Sequence, residues 1–250
     1  MKSLCLVLFV LFLGGLGISH QSQAPAGFAV RSQTLQITSG GRTFPAYFAA
    51  PKEGGPWPGI VLIHSFNGLE PGYRVLVDRF AAEGFVVIAP EWQTFERSPK
   101  DAVVAELITN CVTRLKAARE VNAAKLGLTG FCAGGRYTML FLPQMDFQSG
   151  GAFYGFPYSG GSGNESKPAD YIAGLKVPML MIHGTRDQAS KIADIYRYAV
   201  DLDAAGKYFE LKVYQGEPHG FMVVQGSMSD SFPAKDAFRQ MATFFARTLK

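Results

Sequence analysis

The chain has 250 residues, 48% of them hydrophobic and 18% charged, with 24 Lys and Arg against 20 Asp and Glu for a net charge of +4. An average soluble domain carries roughly 25% charged residues, so the chain can build a large core and is not disordered or fibrous. Its positive residues are spread rather than clustered, which leaves no footprint for a phosphate backbone and argues against nucleic acid as a partner.

Residues 1–26 have the three-part layout of a secretory signal peptide. Lys2 gives a positive start, Leu4 to Leu13 are unbroken apolar residues, and a polar stretch Ser19-His20-Gln21-Ser22-Gln23 follows. The apolar run is shorter than the roughly 18 residues a bilayer span needs, so cleavage after Ala24 or Ala26 is expected, against the alternative of an uncleaved anchor. The expectation is an exported protein, periplasmic or secreted, with no stable membrane span once the signal is cut. Lys2 is the only charged residue removed, so the net charge becomes +3, and two cysteines remain, Cys111 and Cys132. A small exported domain that relied on disulfides would carry more.

From residue 27 the chain alternates apolar runs with helical patterns. Phe28 to Thr38 and Arg42 to Ala50 read as a hairpin joined at Ser39-Gly40-Gly41. Pro58 to His64 contains an apolar run of the kind buried on both faces of a parallel sheet. A helix over Gly72 to Glu83 and a strand over Phe85 to Ala89 come next. Ser98-Pro99 predicts the start of a long helix reaching about Val121. Strands follow at Leu126 to Phe131, Gly151 to Tyr154, Val177 to His183 and Tyr208 to Tyr214. Helices are expected over Gly134 to Leu142, Gln188 to Ala205 and Pro233 to Thr248, while Phe156 to Gly174 is irregular. Alternating strands and helices predict one α/β domain over 27–250, with a mostly parallel sheet covered on both faces.

The sharpest local feature is Gly130-Phe131-Cys132-Ala133-Gly134-Gly135, placed where a strand hands over to a helix. A nucleophile elbow is a strained strand-to-helix turn that pushes one side chain out at the carboxyl end of a sheet, and its flanking positions must be small. Here Cys132 stands where the elbow's nucleophile would be. The competing reading is a buried structural cysteine. A thiol nucleophile ionises near pH 8.5 when free and needs a base. In the chain order nucleophile, acid, histidine, His64 comes too early and His183 precedes the best acid, leaving His219 in the loop after the strand Tyr208–Tyr214. Asp187, just past the end of the strand before it, would orient that imidazole; its competing reading is a cap or a salt bridge with Arg186.

The chain resembles the dienelactone hydrolase family, a branch of the α/β-hydrolases. The matching pieces include Val61-Leu-Ile-His64 leading into Asn67-Gly68-Leu69, Ala81-Ala-Glu-Gly-Phe85-Val-Val-Ile-Ala-Pro90, Gly130-Phe-Cys-Ala-Gly-Gly135, His183-Gly-Thr-Arg-Asp187 and His219-Gly-Phe221. They extend over roughly Ala46 to Leu249. The resemblance implies an α/β-hydrolase fold, Cys132 as nucleophile, His219 as base and Asp187 as orienting acid. It also implies an oxyanion hole from the backbone N–H groups of Phe66 and Ala133. Two features depart from the family. Ser65 stands where founding members have Glu, and Gly220-Phe-Met-Val-Val224 just after His219 lacks one of the two arginines that hold the substrate's carboxylate in those members, with Arg97 a candidate to replace part of the other. These departures remove partners that an anionic dienelactone needs, and turn the expectation to small esters or lactones.

The expected chemistry is acyl transfer through a thioacyl-enzyme intermediate, with no cofactor and no metal, since no H-x-H or H-E-x-x-H spacing is present. Ser65, Trp92, Tyr154 and Phe221 lie near strand ends and are candidates for the substrate pocket. Two rival readings remain at this point: a thiol redox module pairing Cys132 with Cys111, and a ligand-binding module without turnover. Cys111 shares a helical face with Val103, Leu107 and Leu115, which reads as core.

Overall fold

The computed structural model describes residues 27–161 and 166–249. The segment read as a signal peptide lies outside the described residues. Strand β1 (Val30–Ser39) turns through Gly40 and Gly41, at φ 55 and 70, into β2 (Arg42–Pro51). A two-residue hairpin needs positive φ at both central positions, which glycine supplies without strain.

Beyond this hairpin come β3 (Trp57–Ile63), α1 (Pro71–Ala82), β4 (Val86–Pro90), α2 (Asp101–Lys116), β5 (Val121–Phe131) and α3 (Ala133–Phe141). Then follow β6 (Ser149–Phe153), a 3₁₀ helix (Pro168–Gly174), β7 (Met179–Gly184), α4 (Ile192–Ala204) and β8 (Phe209–Tyr214). The chain closes with the short hairpin β9 (Val223–Val224) and β10 (Ser227–Met228) and the helix α5 (Phe232–Leu249). Eight strands form one sheet in the order β1-β2-β4-β3-β5-β6-β7-β8. The first two pairings are antiparallel and the other five parallel.

A sheet covered on both faces must bury alternate residues in opposite directions. Strand β3 does this: Ile60 and Leu62 join one core with Leu76 and Phe80 of α1 and Phe238 and Phe245 of α5. Val61 and Ile63 join the other, with Leu107 and Cys111 of α2 and Ile195 and Tyr198 of α4. The carboxyl ends of the parallel strands therefore share one rim, between two helical layers.

Three expectations need correction. Helix α2 starts at Asp101 rather than at Ser98-Pro99, and ends at Lys116 rather than near Val121. Asp101 in its first turn is held by Arg136, and β-branched Val121 is drawn into the sheet opposite Trp57. Helix α4 starts at Ile192 instead of Gln188: the Asp187 carboxylate takes the N–H groups of Ala189 and Ser190 at 2.9 and 2.7 Å in a separate turn, and the Ser190 carbonyl, which a helix begun there would need, accepts from His183 instead. The segment expected to be irregular ends in the 3₁₀ helix opened by Pro168.

The β9–β10 hairpin has no counterpart in the sequence reading. It lies on α1: the Gly226 carbonyl accepts from Gly72 N–H at 2.9 Å, and Arg79 Nη1 reaches Met228 Sδ at 3.3 Å. A Cβ at position 72 would lie 2.6 Å from Met228 N, so only glycine allows this approach.

Candidate active site

Cys132 sits between β5 and α3 with φ 58, a left-handed conformation that a side chain adopts only at a cost in strain. Close packing around the turn enforces it. A Cβ on Gly130 would stand 2.1 Å from the Gly134 carbonyl oxygen, and one on Gly134 2.0 Å from that of Ile63. The glycine spacing is thus a packing requirement, and it lifts Cys132 above the rim at the N-terminus of α3.

The loop after β3 approaches from one side. His64 is buried, its Nδ1–H donates to the Ser65 carbonyl at 2.7 Å, and its ring stacks on Trp92 with centroids 5.3 Å apart. Trp92 Nε1–H donates to the His64 carbonyl at 3.2 Å. Burial pushes the His64 imidazole down to about 4, against a smaller opposing effect of its bond to Ser65, so it is neutral. Ser65 shapes the following turn: its Oγ accepts from Asn67 N–H and its carbonyl from Gly68 N–H, both at 3.2 Å. Among the described residues, no acceptor within the chain takes the N–H of Phe66 or of Ala133.

The loops after β7 and β8 approach from the other side. Asp187 Oδ2 accepts from His219 Nδ1–H at 2.7 Å, while Oδ1 takes the two backbone N–H groups described above. The carboxylate therefore both caps its own turn and meets His219, uniting the two readings its position allowed. Burial would raise the Asp187 carboxyl, but bonds from His219 and Ser190 outweigh it and hold the group below its usual range. Burial would likewise lower His219; its bond to Asp187 and the nearness of Cys132 outweigh this and raise the imidazole to about 9. His219 Nε2 is buried and faces Cys132, without a bond of ordinary geometry. Catalytic hydrogen bonds are often long in unliganded enzymes.

Of the four pocket candidates, Trp92 lines a cavity of about 60 Å³ with Phe66, Ala133, Arg136 and Tyr137. Ser65 is buried within its turn. Tyr154, at φ 37, packs edge-on against His219 at 5.0 Å and against Phe221 at 5.6 Å; both are buried behind the imidazole and line neither this cavity nor the next. A second cavity, of about 300 Å³, is lined by Phe156, Tyr158, Ser159 and Ser190. Phe156 stands 5.5 Å from the His219 ring.

Three contributors escaped the sequence reading. His183 is buried, donates from Nε2–H to the Ser190 carbonyl at 2.7 Å, and lies 3.4 Å from Asp187 Oδ2. Ser190 Oγ donates to the Gly155 carbonyl at 2.6 Å, tying this loop to the one after β6. Tyr73 of α1 is buried, with its hydroxyl among Ser65, Tyr154 and Cys132. The spacing Asp187-x-x-Ser190 was a usable sign, since an aspartate commonly bonds backbone N–H groups just ahead of it. Tyr73 carried no comparable signal.

Both thiols are free. Cys111 belongs to the core on the α2 side, as its helical face predicted, whereas Cys132 packs against the opposite core. The sheet stands between them, which removes the support for a Cys111–Cys132 redox pair. Among the described residues, no helix is long and apolar enough to cross a membrane, and no three His, Cys, Asp or Glu side chains converge as metal ligands.

The sheet order, the parallel crossovers and the strained turn at its centre define an α/β-hydrolase fold. The profile of the dienelactone hydrolase family matches residues 44–249, and the chain belongs to that family. A provisionally named carboxymethylenebutenolidase of Methylorubrum extorquens is 30% identical over 221 residues, covering 80% of this chain and 76% of that protein. Another from Escherichia coli is 28% identical, covering 87% of each. A crystal structure of a provisionally assigned dienelactone hydrolase from Klebsiella pneumoniae has a TM-score of 0.79 and 27% identity, over 88% of this chain and 99% of that one. The protein is a hydrolase of small carboxylic esters or lactones.

Proposed function

We propose that this hydrolase works through a Cys132–His219–Asp187 triad and a thioacyl-enzyme intermediate. The observation that carries the reading is the 2.7 Å bond from His219 Nδ1 to Asp187 Oδ2, with Nε2 turned toward the thiol on the strained turn. That bond leaves Nε2 as the basic nitrogen. His219 takes the Cys132 proton and the thiolate attacks the ester carbonyl carbon, forming a C–S bond. The oxyanion is received by the N–H groups of Phe66 and Ala133, each such donor contributing typically about 3 kcal/mol. Collapse breaks the C–O bond, and the imidazolium gives its proton to the departing alcohol. Water, deprotonated by His219, then cleaves the thioester and returns the thiol.

The relatives' name denotes a butenolide hydrolase, and Ser65, together with the absence of an Arg from the five residues after His219, distinguishes this chain from the family pattern. Small neutral esters or lactones are therefore the proposed substrates. Export, with signal removal near residue 26, is the proposed location, resting on the charged, apolar and polar order of the first residues. The test is hydrolysis of short p-nitrophenyl esters by the reduced mature protein beside Cys132→Ala and His219→Ala. Turnover abolished by both substitutions supports the triad; activity that survives Cys132→Ala overturns it.

A further inference from the structure

The sheet order sets a direction across the site. Loops after β4 and β3, carrying Trp92 and Phe66, lie on one side of Cys132; those after β6, β7 and β8, carrying Phe156, Asp187 and His219, lie on the other. The tetrahedral carbon bonded to Cys132 has three other substituents: the oxyanion, the acyl remainder and the leaving oxygen. With the oxyanion held between Phe66 and Ala133, the leaving oxygen must face His219, because only there does it meet the proton it needs. The acyl remainder then points away from His219.

We propose, resting on the triad reading, that the two cavities divide the substrate: the acyl group enters the one beside Phe66, Trp92 and Tyr137, and the alcohol the one beside Phe156 and Tyr158. Their sizes differ in a way that sets specificity. The acyl cavity, about 60 Å³, holds roughly four water-sized groups, while the alcohol cavity is about 300 Å³. The enzyme thus selects short acyl chains and admits bulky alcohols.

Structure also explains why the smaller cavity cannot easily widen. Trp92 is wedged between His64 and Tyr137, whose rings lie 5.3 and 5.4 Å from its own, and Tyr137 stacks on Phe141 at 5.8 Å. Its charges are committed. Arg136 makes two 2.7 Å bonds to Asp101 and donates to the carbonyls of Ser159 and Ser166 at 2.9 and 2.7 Å. A carboxylate on the acyl chain would meet the Asp101 charge without gaining this guanidinium, so neutral acyl groups are preferred.

Two ester series test the division. One varies the acyl chain from acetyl to octanoyl with p-nitrophenol as alcohol; the other keeps acetyl and varies the alcohol from phenyl to naphthyl. The expected kcat/KM falls at least about tenfold from butyrate to octanoate, and changes no more than about threefold across the alcohols. Tyr137→Ala should restore the longer acyl chains, with Phe66→Ala as the second variant, since it keeps the backbone N–H and opens the opposite wall. Phe156→Trp should narrow only the alcohol series. An octanoate hydrolysed as well as butyrate, or a Phe156→Trp effect on the acyl series with none from Tyr137→Ala or Phe66→Ala, overturns the division while leaving the triad standing. Absence of turnover on every ester overturns both.

Discussion

Two regions of the rim hold their side chains by different means. The turn from β5 to α3 fixes Cys132 with backbone packed on backbone, through glycines whose missing Cβ atoms would collide with carbonyl oxygens at about 2 Å. The loops after β7 and β8 fix Asp187 and His219 through side-chain bonds: the carboxylate to two N–H groups and an imidazole, His183 to Ser190, Ser190 to Gly155. Packing of the first kind gives way all at once, because a hard contact cannot be stretched. Bonding of the second kind is graded, and it responds to protons.

Removing the group that both regions serve should have the largest effect. Cys132→Ala keeps a Cβ at the same strained φ, so thermal unfolding should be unchanged while kcat falls by about 10⁴ or more. A milder drop would mean that the two regions serve some other group.

Asp187→Asn addresses the bonded region next, with an expected loss of about 10⁴-fold in kcat. It should also alter the pH profile. His219 at about 9 lies above the 6.5 of a free imidazole, so the imidazolium that protonates the leaving alcohol persists up to about pH 9. Wild-type kcat/KM should fall above that point, and the fall should begin at lower pH in Asp187→Asn. The same group adds stability that is complete below about pH 6.5 and is lost as pH rises through about 9. Denaturant melts at pH 6 and pH 10 would measure it, and equal melts would contradict the assigned environment.

Gly134→Ala breaks the packed region instead. Its Cβ meets the Ile63 carbonyl, and the expected cost is about 2–4 kcal/mol in a denaturant titration, with activity falling as the turn shifts. The smallest effect belongs to Ser190→Ala. It loses the Oγ bond to Gly155 but keeps the N–H on Asp187, so stability should drop by about 1 kcal/mol and kcat by less than fivefold. A collapse of activity in that variant would show that the bonded region is as brittle as the packed one.

The same contrast explains what could be read from the sequence. Gly130-x-Cys132-x-Gly134 was legible because its constraint is local: neighbouring residues must be small for the turn to close. Asp187 and His219 were legible from their position after strands and their order along the chain. The start of α4 was not, because the Ser190 carbonyl that would open it is taken by His183 from the strand before. Nor was the end of α2, where Val121 answers to Trp57 on another strand. His183, Ser190 and Tyr73 act through contacts that chain order does not announce. Tyr154 and Phe221 were read as pocket candidates because they stand near strand ends; their packing in series beside His219 is a further contact that chain order does not announce.

The small hairpin on α1 has a consequence for how the protein comes to be folded. It joins the segment just past His219 to a helix made in the first third of the chain, with five of the sheet's eight strands threaded between them. Contacts of such separation are slow to close, and this one waits for strand β8 to be synthesised and laid down. During folding the thiol turn can therefore be complete while the histidine loop is still loose. Proteolysis or amide exchange during refolding should find the β9–β10 strap among the last segments to become protected.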